Sequence, residues 1–215
     1  MMLVLPGWSS LGVFMAAALA LLITPGPAVL YIVTRSMDQG RRAGLISMLG
    51  VHVGTLVHVA AAAAGLSALL AASATAFSLV KYLGAAYLIA LGIRRLLDRA
   101  PLGPAAGARG GPWHRVFVDG VVVNVLNPKT GLFFLAFLPQ FVDPSRGAVG
   151  SQVLALGLLF VLLGLVTDGL YAIGAGSAGR WLRANPRFVS GQRWVSGSMY
   201  IGLGVAAALT SGNRK

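Results

Sequence analysis

The stretch Leu21–Tyr31 reads LLITPGPAVLY. No charged residue occurs before Arg35, so two prolines and a glycine stand inside a long apolar run. In a soluble core helix this would be a defect, because proline removes a backbone donor and clashes with the preceding turn. In a lipid bilayer it has another meaning. Carbonyls released there cost several kcal/mol unless protein or a water-lined cavity satisfies them. The solvent around this segment therefore decides how it is read.

Composition identifies that solvent. The 215 residues are 57% hydrophobic and 10% charged, with a mean hydropathy of +0.81. Soluble domains carry about 25% charged residues. A globule of this length could not hide so much apolar surface, and the chain reads as a polytopic membrane protein. Its net charge of +12 then fits basic cytoplasmic loops better than nucleic acid. With no cysteine, disulfides, thiol redox chemistry, cysteine zinc sites and iron–sulfur clusters are excluded. The basic n-region of a secretory leader is missing, so the first apolar segment is read as retained.

Six spans are expected, at about residues 11–33, 43–70, 77–97, 116–139, 149–176 and 195–211, each near the ~20 residues that cross a bilayer. Arg35, Arg41 and Arg42 follow the first, Arg94, Arg95, Arg99, Arg109 and Arg115 the third, and Arg180, Arg183, Arg187 and Arg193 the fifth. The opposite side holds only Lys81, Arg146, Arg214 and Lys215. The positive-inside rule places the Arg-rich loops in the cytoplasm and both termini in the periplasm.

Two parts of the chain resemble each other. KYLGAAYLIALG at 81–92 aligns with RWVSGSMYIGLG at 193–204, and Thr24-Pro25 aligns with Asn127-Pro128. At that second offset Gly44 and Gly54 meet Gly147 and Gly157. The expected fold is all-α, with two three-helix repeats at residues 1–97 and 116–215 and a Pro/Gly/Arg linker at 98–115. An odd number of spans inverts the second copy, which is a signature of secondary transporters. Pro25 and Pro27 then break the first span, and Pro128 breaks the fourth, at matching depths. Two matched breaks point to a polar cavity between them.

Lys129 sits beside Pro128, where a lysine costs about 2.5–3.5 kcal/mol on insertion scales. Asp168 is the carboxylate well inside a span, and the chain has no Glu. The two could pair to fix helix packing. They could instead serve transport, the ammonium holding a substrate carboxylate and the carboxylate carrying a proton. Asn124 and Asn127, three apart, are expected on one helical face beside them. His52 and His58 in the second span are read as hydrogen-bonding a neighbouring helix rather than relaying protons. Gly50 and Gly54 suit close helix packing.

No Walker A, HExxH, GxSxG or EF-hand pattern is present, so active transport would draw on an ion gradient or a partner ATPase. A membrane-embedded enzyme fits poorly, with three His, five acidic residues and no Cys to build a nucleophile or metal cluster. An assembly subunit without transport and a passive channel remain as alternatives.

TPGPAVLYIVTRSMDQGRRAGLISMLGVHVG at 24–54 resembles the N-terminal signature of the LysE/RhtB family of amino-acid exporters. NVLNPKTGLFFLAFLPQFV at 124–142 is similar to that family's second signature. The resemblance implies a bacterial inner-membrane exporter of amino acids or similar solutes, working by proton antiport without a bound cofactor. Its motifs fall on Pro25, Gly26, Pro27, Asn127, Pro128 and Lys129, with Gly40, Gly44, Gly50 and Gly54 matching its glycine spacing and Asp168 an acidic position of its fifth span. Thr24, Pro25, Gly26, Pro27, Asn124, Asn127, Pro128, Lys129 and Asp168 form the expected substrate and proton site. The expected partners are a small-molecule substrate, the lipid bilayer and a homo-oligomer. The family spans lysine, arginine, threonine, homoserine and leucine exporters, and no residue here selects among them.

Overall fold

The computed structural model describes residues 8–72, 112–146 and 149–184, with isolated helical positions between 79 and 97 and between 194 and 208. The third and sixth spans, the linker and the match of 81–92 with 193–204 lie largely outside the described residues. The regular structure described is all helical.

Helix α1 (Trp8–Ile23) stops where the two prolines begin, and α2 (Pro27–Gln39) starts on the second of them. Proline suits a first helical position because its fixed φ fits and its missing N–H is not needed there. Gly26 precedes it in extended conformation. The axis bends by 48° across this break. Gly40, at φ +87°, separates α2 from α3 (Arg41–Ala72). Only glycine enters that backbone region at no steric cost. Arg35, expected in a loop, instead lies within α2 and is 1% exposed.

The fourth span is broken in the same manner. Helix α4 (Trp113–Val125) ends before Asn127, and α5 (Pro128–Leu132) opens on Pro128. A π-helical turn (Phe133–Phe137) and a 3-10 turn (Leu138–Phe141) continue it, and the pair bends by 47°. Pro139 cannot donate to the preceding turn, and the Gln140 amide donates to Ala136 O at 2.9 Å. Helix α6 (Val149–Ala184) returns unbroken. Residues 41–65 and 149–175 are long and apolar enough to cross a membrane, as is each bent pair taken as one span.

α3 packs chiefly on α4 and α6, and α2 lies against α3 and α6. Small residues set these distances. A Cβ on Gly50 would lie 2.1 Å from Phe117 O, and one on Gly120 would lie 2.7 Å from Ser47 O. The GxxxG at Gly50 and Gly54 therefore lets the α3 and α4 backbones touch. At one end of the bundle Phe14, Phe133, Phe137, Phe141 and Phe160 form an aromatic cluster, with Phe133 and Phe160 ring centres 4.8 Å apart. Buried Gln152 exchanges two 2.9 Å hydrogen bonds with the Asp143 backbone and pins the short connection into α6. In that connection the Ser145 hydroxyl and N–H hold the Asp143 carboxyl below its ordinary pKa.

Candidate functional site

The site begins with backbone groups that proline leaves over. Pro27 has no N–H, so the Ile23 carbonyl loses its i+4 donor. The Tyr171 hydroxyl of α6 donates to it instead, at 2.5 Å. The Thr24 hydroxyl turns back to Ala20 O at 2.9 Å. The Thr24 carbonyl accepts from Lys129 Nζ at 2.5 Å. The lysine of the second break thus satisfies a carbonyl of the first, and the two broken spans meet through this bond.

The second break is organised by amides. Asn127 caps α5, its Oδ1 accepting from the Lys129 N–H at 3.1 Å. Capping of this kind is the common use of Asn before a helix. Asn124 donates to Val51 O and Thr55 Oγ1, both at 2.8 Å, and accepts from Asn127 Nδ2 and Thr130 Oγ1. Its side chain is fully used, and it ties α4 and α5 to α3. The expectation of one shared helical face is corrected here. α4 ends at Val125, and Asn127 reaches Asn124 from the break rather than from the next helical turn. Proline at 128 is the reason, since it can open a helix but not continue one.

These groups surround a cavity of about 30 Å³. Its polar lining comes from α3 (His52, Thr55), from the second break (Asn124, Asn127, Lys129, Thr130) and from α6 (Asp168). Leu21, Leu22 and Phe160 supply apolar wall, and Gly26 brings backbone to the edge. The space suits a water or two and is too small for an amino acid. Lys129 is 6% exposed and Asp168 3%. A cation and a carboxylate thus share one buried cavity without being each other's contact. Lys129 goes to Thr24, while Asp168 Oδ2 lies 3.3 Å from His52 Nε2.

One end of the bundle carries a second polar cluster. Arg35 reaches Asp119 at 2.7 Å and donates to the Tyr31 hydroxyl at 3.1 Å. Tyr31 in turn donates to Val116 O at 2.9 Å. These contacts join α2 to α4 on the cavity side opposite the aromatic cluster. His58 contacts Asn124 O at 2.9 Å, the helix-linking use expected of it.

Of the expected site, Gly26, Asn124, Asn127, Lys129 and Asp168 line the cavity. Thr24 touches it through Lys129, and Pro25, Pro27 and Pro128 act by shaping the breaks. Sequence reasoning missed Thr55 and Thr130 as lining groups and assigned His52 a packing role. Their signal was available: His52 and Thr55 lie on one face of α3, three residues apart.

The sequence model of the LysE type translocator family matches residues 19–211. An "Uncharacterized membrane protein" of Vibrio cholerae is 32% identical over 91% of this chain and 94% of its own length. The "Homoserine/homoserine lactone efflux protein" of Salmonella typhimurium is 28% identical over 91% of this chain and 94% of its own. The "Leucine efflux protein" of an Enterobacter species is 27% identical over 92% of this chain and 93% of its own. No solved structure matches the chain.

Proposed function

The chain belongs to the LysE type translocators, and on that premise we propose that it exports amino acids or related small zwitterions from the cytoplasm by proton antiport. Transport, not catalysis, is the family's activity. The observation that carries the substrate class is the pairing of Lys129 and Asp168 across one buried cavity at the meeting of two broken helices. A zwitterion carries both complementary charges. Relatives named for efflux of leucine and of homoserine support the same class.

In this reading the Lys129 ammonium leaves Thr24 O for the substrate carboxylate, and Asp168 receives the substrate amine. The exchange keeps each buried charge compensated, which the low dielectric requires. The cavity is too small for a substrate as it stands, and a different cluster lies towards each of its ends. At the arginine-bearing, cytoplasmic end the Arg35–Asp119 pair closes the gap between α2 and α4. At the other end the phenylalanine cluster closes it. Opening one end at a time gives alternating access, and two inverted three-helix halves supply the symmetry for it.

Inside-out vesicles with an acidic lumen test the proposal, using labelled leucine, homoserine and a panel of other amino acids. Accumulation abolished by an uncoupler is expected. Accumulation that resists the uncoupler would refute proton antiport. No movement of any amino acid by inserted, folded protein would refute the substrate class and favour a non-transporting subunit or another solute.

A further inference from the structure

His52 is placed with unusual care for a packing residue. Its ring lies against the α6 backbone at Gly164, where a Cβ would stand 2.4 Å from Cε1. That contact holds the ring beside Asp168, Nε2 to Oδ2 being 3.3 Å. Both residues are buried, at 4% and 3% exposure, and both line the cavity. His52 Nδ1 and Nε2 and Asp168 Oδ1 have no hydrogen-bond partner, so the 3.3 Å approach of Nε2 to Oδ2 is a close contact and not a hydrogen bond. Buried polar atoms are seldom left in this condition, because each costs its desolvation. His58, six residues on along the same helix, is by contrast engaged with Asn124 O.

We infer that His52 and Asp168 form the proton-carrying pair of the transporter, and that the substrate's amine and the proton compete for Asp168. This inference rests on the antiport reading above. Imidazole is the side chain that ordinarily changes charge near neutral pH. A protonated His52 donates to Asp168 and closes an internal ion pair. A substrate ammonium needs the same carboxylate. Substrate binding therefore expels the extra proton of His52 to water, and the ring stays neutral while the ammonium donates to Asp168. On the acidic side a proton returns to the imidazole, His52 retakes Asp168, and the amine loses its partner. No covalent bond changes; one proton leaves as one zwitterion binds. Mutual exclusion of this kind is the thermodynamic requirement of antiport, and it is reciprocal.

The charged and titratable groups on the surrounding elements leave this role open. Lys129 of α5 lines the same cavity and bonds Thr24 O. Tyr171 of α6 donates to Ile23 O. Tyr31 and Arg35 of α2 belong to the cluster with Asp119 of α4.

His52→Gln keeps the size of the side chain and removes the proton carrier. In proteoliposomes with leucine or homoserine as probe, wild type should accumulate substrate down a pH gradient. H52Q should lose gradient-driven accumulation to a much greater extent than substrate-for-substrate exchange. Wild-type affinity should strengthen by up to about tenfold per pH unit as pH rises, the limit for one released proton, and H52Q should lose that slope. Gradient-driven accumulation by H52Q at the wild-type level would overturn the inference and leave the antiport proposal standing. Wild-type transport that ignores the gradient would overturn both. A substrate-free readout covers failure of the variant to fold or of the probes to move. Nitrogen-15 histidine spectra of the wild-type chain, assigned with H58Q and H114Q, should show the His52 ring taking up a proton when the substrate-free protein is acidified. A ring that stays neutral throughout would overturn the inference.

Discussion

Lys129 shows how much one side chain does at this site. Its ammonium is the donor for a carbonyl of the other broken helix, and it is the cation offered to a substrate. Lys129→Met should weaken amino-acid binding by roughly 10–100-fold, the worth of a lost charge-assisted hydrogen bond. The same variant should leave the binding of a decarboxylated amine analogue nearly unchanged, and comparing the two by competition in transport checks it. Asn124 is the structural counterpart. Asn124→Ala would remove its bonds to Val51 O, Thr55, Asn127 and Thr130 at once, leaving the Thr55–Val51 and Asn127–Thr130 bonds, and should cost at least about 2 kcal/mol. A lowered thermal midpoint in detergent checks that. The importance of both residues was legible in the sequence, because a lysine and two asparagines inside an apolar run are expensive. Their partners were not legible. Asp168 was open to a Lys129 pairing until the fold set His52 beside it.

At the scale of elements, the two breaks and the glycine contacts do separate jobs. Prolines 25, 27 and 128 end helices and release carbonyls, and the next helix over satisfies them. Glycines 50, 54 and 120 bring α3 and α4 close enough for Asn124 to reach across. Gly50→Ala would put a methyl 2.1 Å from Phe117 O. Backbone cannot yield as a side-chain tip does, so α3 and α4 must separate. The variant should lower both the thermal midpoint and transport, and a cavity-lining change such as Thr55→Ser should do less. Helix breaks read well from the sequence where proline marks them; the Gly40 turn did not, because residues 34–42 read as a loop and are helical on both sides of that glycine. Arg35 read poorly, because a basic residue at a span end looks like a loop residue until the fold supplies Asp119, which is 39% exposed and lets water share the pair.

Across the whole molecule, the groups proposed to seal the two ends of the cavity are unlike materials: an ion pair with a tyrosine at one, packed aromatic rings at the other. Polar seals respond to charge substitution, whereas the aromatic cluster holds by buried area. Asp119→Asn should therefore loosen the arginine-bearing end. The chain has no native cysteine, so Val51→Cys supplies a lone thiol in the cavity lining. Its labelling by a membrane-impermeant reagent from the arginine-bearing side should rise when D119N is added. An unchanged labelling rate would show that the pair does not control access.

The sequence alone determined the solvent, the helical class, the break positions and the family, because these follow from composition, periodicity and proline chemistry, which are local. It also named most of the cavity's polar residues, since burying them in an apolar chain demands a reason. Only the tertiary structure decided who meets whom. Lys129 to Thr24, Asp168 to His52, Tyr171 to Ile23 and Arg35 to Asp119 each join groups far apart in the chain. Such pairings depend on helix rotation and on approach distances set by individual glycines, and no pattern along a single segment encodes them.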